Sequence, residues 1–123
     1  MKLMNKNITL PKIAVLLTVY NGRAWMEDQI ESILLQKVVN IDLYISIDLS
    51  TDGSYERCLE LARKNNNIKI LPYRDRFGGA ALNFFRLIRD VDFTNYDFIS
   101  LADHDDIWLP NKLNHAVKTI NKK

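Results

Sequence analysis

The chain has 123 residues, of which 47% are hydrophobic and 26% charged, with a net charge of +2 and one cysteine. That length suits one compact core rather than two, and so small a charge argues against a nucleic-acid partner. A single cysteine rules out an intramolecular disulfide and any multi-cysteine metal site.

Lys2 and Lys6 ahead of Ile13-Ala-Val-Leu-Leu-Thr-Val-Tyr20 imitate a secretory leader, but Pro11 and Lys12 interrupt the approach and no small-x-small cleavage site follows. The apolar run is of strand length, far short of the ~20 residues a membrane-spanning helix needs. A cytoplasmic chain is expected, working there or at the inner face of the membrane. The first strand is predicted near Lys12 to Thr18. Met26, Ile30, Ile33 and Leu34 then make a helical stripe, and a second strand is predicted from Ile41 to Asp48. Tyr55, Cys58, Leu59 and Ala62 share one helical face, so Cys58 is expected to pack in the core rather than act as a nucleophile. A third strand is predicted from Ile68 to Pro72, followed by a stripe of Ala81, Phe84, Phe85 and Ile88. The fourth strand spans Tyr96 to Leu101, and Leu113, Ala116, Val117 and Ile120 make the last stripe. Asn121-Lys-Lys123 reads as a frayed tail.

Strictly alternating strands and helices predict an α/β fold, a Rossmann-like three-layer sandwich whose mostly parallel sheet has about four strands, in a single domain over residues 1–123. Strands one and four are apolar at nearly every position, which fits burial on both faces. Right-handed crossovers in the order 3-2-1-4 would set strand 1 beside strand 4. Thr18 and Tyr20, Asp48, Arg76, and Asp103 to Asp106 each follow the carboxyl end of a different strand, where open α/β sheets bind ligands.

The segment Leu101-Ala-Asp-His-Asp-Asp-Ile-Trp-Leu-Pro110 sets three carboxylates within four residues. Such crowding calls for a counter-charge, and an all-oxygen cluster suits Mg2+ or Mn2+ rather than zinc. In an extended segment Asp103 and Asp105 would project to the same side and address one ligand. A dinucleotide site would need three glycines after strand 1, a P-loop needs Gly-Lys-Ser or Gly-Lys-Thr, and both are missing. Phosphohydrolases of the haloacid type and response-regulator receivers place their key aspartate at the end of the first strand, where this chain has Thr18.

Three stretches occur in sequence: Lys12-Ile-Ala-Val-Leu-Leu-Thr-Val-Tyr-Asn-Gly22, Ile45-Ser-Ile-Asp-Leu-Ser-Thr-Asp-Gly-Ser54 and Leu101-Ala-Asp-His-Asp-Asp-Ile-Trp-Leu-Pro-Asn-Lys-Leu113. Together they resemble the family-2 glycosyltransferases of the GT-A fold. Arg76-Phe-Gly-Gly-Ala-Ala-Leu-Asn-Phe84 resembles the glycine-and-asparagine stretch of the bacterial rhamnosyltransferase-like members. The resemblance covers about Lys12 to Leu113 and implies a truncated GT-A fold, the nucleotide-sugar-binding half of an enzyme of cell-surface polysaccharide synthesis.

By that resemblance Thr18 and Tyr20 hold the nucleotide base, the ring by stacking, and Asp48 accepts the base's N–H. Arg76 stands between a phosphate contact and an ordinary exposed arginine. Asp105 is the metal ligand, and Asp103 faces the ribose or the metal. Asp106 orients either the metal or the acceptor, and Trp108 either docks the last helix or touches a sugar on the acceptor side. His104 is expected to hydrogen-bond locally and His115 to lie in solvent. The donor implied is a UDP- or dTDP-linked sugar, the other substrate a saccharide acceptor, and the cofactor Mg2+ or Mn2+.

Ile47 and Leu49 depart from the family's Asp-Asp-Gly-Ser run, which leaves base and ribose contacts open. The catalytic base is not assigned, because family members continue past this motif into an acceptor-binding region. The fourth strand would be interior in such a fold, so as an edge it invites self-association or a completing partner chain. Two other classes stand beside the enzyme: a non-catalytic nucleotide-sugar-binding module and a metal-dependent phosphohydrolase.

Overall fold

A computed structural model describes residues 9–103 and 105–121. Strand β1 (Lys12–Val19), helix α1 (Met26–Leu34), β2 (Asn40–Ile47), α2 (Ser54–Lys64), β3 (Ile68–Ile70), α3 (Ala80–Asp90), β4 (Phe98–Ala102) and α4 (Lys112–Asn121) alternate without exception. All pairings are parallel and the strand order is β3-β2-β1-β4, the arrangement that sets strand 1 beside strand 4. The expected fold class therefore stands, with four strands between two helical layers. Lys2, Lys6, His104 and the last two lysines lie outside the described residues.

β1 is the centre of the molecule. Every residue from Ile13 to Val19 is buried, because β2 and β4 flank the strand and helices cover both of its faces. Its odd-numbered side chains enter the main core with Leu43, Ile45 and Ile47 of β2, Met26, Ile30 and Ile33 of α1, Cys58 of α2, and Leu113 and Val117 of α4. On the opposite face Leu16 meets Leu87 and Val91 of the α3 region in a smaller core. Burial pushes the Cys58 thiol up to about 12, so it stays protonated and inert, in keeping with a packing role.

Two stripes differ from expectation. In α3 the buried side chains are Asn83, Arg86 and Leu87, while Phe85 is 63% exposed and Ile88 and Ala81 also face outward. The helix is turned because it covers polar groups of the sheet: Arg86 donates to the Ser46 hydroxyl at 2.8 Å and to the Pro72 carbonyl at 2.6 Å. Asn83 bonds both the hydroxyl and the carbonyl of Ser46. A buried guanidinium with its hydrogen bonds met is a better fit there than an apolar chain over unpaired oxygens. In α4, Ala116 and Ile120 likewise lie outside the core.

β4 is the sheet's edge, and it is covered on one face only. Phe98 and Ala102 point into the main core, whereas Ile99 and Leu101 are 52% and 50% exposed. Burial on both faces, expected from the apolar run, is thus not met at β4, because α3 sits over β1 and β2. Ile99 and Leu101 pair in register with Ala14 and Leu16, which puts them on the same side of the sheet as the exposed Phe85 and Ile88.

Candidate functional site

A cavity of about 450 Å³ opens at the carboxyl ends of β1 and β2, within the size range of small-molecule sites. Thr18, Tyr20, Asp48 and Arg76 all line it, so four of the expected residues meet in one place, joined by Trp25, Asn83 and Gly78-Gly79. Tyr20 is 54% exposed, its ring free of the core and open to a stacking partner. Thr18 is buried at the end of β1, beside Ser46 in the parallel register.

Asp48 follows β2 and is only 3% exposed. Its Oδ1 accepts the backbone N–H groups of Leu49 at 3.0 Å and Phe77 at 2.7 Å, and its Oδ2 accepts that of Gly78 at 3.1 Å. Three of the roughly four acceptor positions of a carboxylate are thereby used inside the protein, which leaves one, on Oδ2, for a ligand. The carboxylate thus shapes the cavity as well as lining it, since it holds the Arg76-Phe-Gly-Gly79 loop against β2. Gly78 has φ +83° and Gly79 φ +151°, backbone values that favour glycine, and a Cβ on either would meet open space. The loop is therefore glycine-rich for its path and for access to its backbone.

The turn after β2 is built by side chains that do not line the cavity. Asp52 accepts the Ser54 N–H at 3.0 Å and the Arg23 N–H at 3.0 Å. Burial opposes its ionisation, but the bonds from Ser54 and Arg23 outweigh that and hold its carboxyl below the ordinary range. Asp52 is thus a turn aspartate, its side chain bonding the backbone two residues on as the chain enters α2. Tyr73 accepts the Ser50 N–H at 2.9 Å and stacks on Tyr55 with 4.0 Å between ring centroids. Gly22 closes against Trp25, whose ring would lie 2.5 Å from a Cβ at that position.

The acidic residues after β4 do not line this cavity. Ala102 pairs with Leu17, so Asp103 comes abreast of Thr18, and Asp103, Asp105 and Asp106 stand exposed next to the cavity's β1 side. Asp105 has φ +66°, so the chain turns here, and the simple alternation of an extended segment does not relate Asp103 to Asp105. Neither carboxylate has an ion pair among the described residues, while Asp106 lies 3.9 Å from Lys112. No group of three or more metal-ligating side chains gathers among the described residues. Two free, exposed, all-oxygen donors would suit a hard divalent cation whose remaining ligands come from elsewhere. Trp108 is 4% exposed and belongs to the main core, with the Lys112 ammonium 5.0 Å from its ring centroid. It docks the last helix, and its indole does not stand free on an acceptor side. His115 is exposed.

Sequence reasoning passed over three contributors. Trp25 and Asn83 line the cavity, and Gln29 of α1 reaches the acidic turn from the core. Gln29 carried a legible signal, a polar residue flanking the apolar stripe of its helix, whereas the expected stripe of α3 put Asn83 on the outer face. For Trp25 only the contact with Gly22 reveals it.

The profile of glycosyl transferase family 2 matches residues 14–123. The chain is 48% identical over 99 residues to the dTDP-rhamnosyl transferase RfbG of Shigella flexneri, a stretch covering 80% of this chain and 34% of that one. Among solved structures, S. aureus TarS 1–349 in complex with UDP-GlcNAc superposes with a TM-score of 0.72 at 21% identity, over 90% of this chain and 31% of that one. The mannosyltransferase PcManGT of Pyrobaculum calidifontis, in complex with GDP-Man and Mn2+, gives 0.76 at 19%, over 89% and 32%. These two likenesses bear on the fold. The chain spans about a third of the length of each of the three.

Proposed function

We propose that this chain, which belongs to glycosyl transferase family 2, is the donor-binding domain of a nucleotide-sugar-dependent glycosyltransferase of cell-surface polysaccharide synthesis. The observation that carries the reading is the meeting of Thr18, Tyr20, Asp48 and Arg76 in one cavity at the strand ends, beside an exposed pair of unpaired aspartates. The donor is a dTDP- or UDP-linked sugar. The name of the relative at 48% identity favours dTDP, and the UDP-GlcNAc complex of TarS keeps UDP in view.

In this reading Tyr20 stacks on the base, Thr18 hydrogen-bonds it, and Asp48 accepts one base N–H with its remaining Oδ2 position. Arg76 and the Gly79 N–H, which Asp48 does not take up, face the diphosphate, where positive charge and donors are needed. Asp105 and Asp103 hold Mg2+ or Mn2+, which when bound neutralises charge on the departing nucleotide's phosphates. Asp106 steadies the cation site or the acceptor. Attack by an acceptor hydroxyl needs a base within hydrogen-bond reach, and we assign that base to the acceptor-binding part that relatives carry beyond the matched third of their length. The bare apolar face formed by Ile99, Leu101, Phe85 and Ile88 is where that part, a partner chain or a second copy covers the sheet. Work at the cytoplasmic face of the membrane follows from a soluble nucleotide-sugar donor. Among the described residues no helix is long and apolar enough to cross a membrane.

Calorimetric titration of dTDP and UDP, with and without Mn2+, tests the donor assignment. Binding strengthened by Mn2+ in the chain and not in Asp105→Ala is expected. Equal affinity in both conditions would remove the metal role, and no affinity for either nucleotide would remove the donor site. A strictly monomeric species in sedimentation at micromolar concentration would count against the covered face.

A further inference from the structure

We propose that Gln29 is the positioning residue of the acidic turn: its carboxamide, buried in helix α1, ties the carbonyl of Asp103 to the N–H of Asp105 and so fixes the two carboxylates relative to one another. The inference rests on the reading of Asp103 and Asp105 as cation ligands. Gln29 has no exposed surface. Its Nε2 donates to the Asp103 carbonyl and its Oε1 accepts the Asp105 N–H at 3.2 Å. One planar amide meets an acceptor with its donor end and a donor with its acceptor end, so only one orientation of the group satisfies both bonds.

The turn needs such a hold. The Asp103 and Asp105 side chains are exposed and unpaired, so packing does not set their directions. Asp105 takes the left-handed φ of +66°, a backbone region that favours glycine. Ser32, on the same face of α1, continues the restraint, its hydroxyl accepting the Trp108 N–H at 3.0 Å. Gln36 donates to the Leu109 carbonyl at 2.6 Å and accepts the Leu113 N–H at 2.9 Å. Positions 29 and 32 lie on one face of α1 and Gln36 follows just past its end, and together the three strap the segment after β4 to the α1 region. Gln29 holds the end that carries the carboxylates, and Gln36 holds the end that leads into α4. Groups that orient metal ligands through a hydrogen bond commonly set affinity by about 10–100-fold.

The readout is the Mn2+ gain, the ratio of the dTDP dissociation constants measured in EDTA and in Mn2+. Gln29→Met, matched in length, is expected to cut that gain about tenfold or more and leave the EDTA constant unchanged. Gln36→Leu removes a second buried carboxamide, just past the end of α1, and is expected to lower the melting temperature while keeping the gain. In the metal-free protein the Asp105 amide should exchange its hydrogen faster in Gln29→Met than in the unsubstituted chain. Gln29→Glu in its ionised form keeps an oxygen for that amide and lacks the donor to Asp103, so it should protect the amide and still lose gain. That variant decides the matter if Gln29→Met fails to fold. An undiminished gain in Gln29→Met, or an equal loss in Gln36→Leu, overturns the positioning role and leaves the cation reading intact. No gain in the unsubstituted chain overturns both.

Discussion

Asp48→Asn isolates what one buried carboxylate contributes to the cavity. The aspartate receives three backbone N–H groups, those of Leu49 and Phe77 on Oδ1 and that of Gly78 on Oδ2. An asparagine that keeps its oxygen toward Leu49 and Phe77 must point its NH2 at the Gly78 N–H, donor against donor. The flipped amide loses two bonds instead of one. Hydrogen bonds to charged groups contribute about 1.5–3 kcal/mol each, so losing one and neutralising the others should cost about 2–3 kcal/mol. An unfolding entropy of about 2.1 cal/mol/K per residue over 123 residues comes to about 0.26 kcal/mol/K. The melting temperature should therefore fall by about 8–12 °C. Scanning calorimetry measures it, and limited proteolysis should cut the loop between residues 74 and 79 faster in the variant. A fall of less than about 2 °C with an unchanged cleavage rate would refute the clamp, and Asp48 would then serve the ligand alone.

Gly22→Ala sets a methyl 2.5 Å from Trp25 Cζ2 and 3.1 Å from Val19 Cγ1, so urea unfolding should show a loss of about 1–3 kcal/mol and dTDP should bind more weakly as Trp25 shifts. Equal midpoints and affinities would contradict the contact. Cys58 holds its proton to about 12 in the folded chain, above its unfolded value of about 8.5. Its contribution is whole below the lower value and is lost as pH rises through the window between them, at about 1.4 kcal/mol per pH unit. Urea midpoints of the unsubstituted chain should fall faster than those of Cys58→Ala on going from about pH 8 to about pH 10, and parallel curves would show that the thiol is not protected. Ile99→Lys with Leu101→Lys charges the bare face of β4. Sedimentation should then report less self-association with little change in melting temperature, and an unaltered distribution would place association elsewhere.

Most of the scaffold and half of the site were legible before any coordinates. Alternating strand and helix periods name the fold class, while the order β3-β2-β1-β4, one of those that right-handed crossovers allow, is settled by the strand pairing. Thr18, Tyr20, Asp48 and Arg76 could be gathered from the sequence because each follows the carboxyl end of a strand, and a parallel sheet brings all such ends to one edge. The apolar stripe of α3 misled, since an apolar face names a burial partner only if that partner is present, and the polar groups of Ser46 and Pro72 drew Asn83 and Arg86 inward instead.

By itself the sequence determined the order of elements, the edge of the sheet that carries the polar residues, and the acidic turn as a centre of unbalanced charge. Those properties follow from residue type and local spacing. Only the tertiary structure decided how that turn is held, how much of Asp48 is left for a ligand, and which face of α3 is bare. Each depends on hydrogen bonds between residues far apart in the chain, such as Gln29 with Asp103 and Asp48 with Phe77, and no local pattern encodes such bonds.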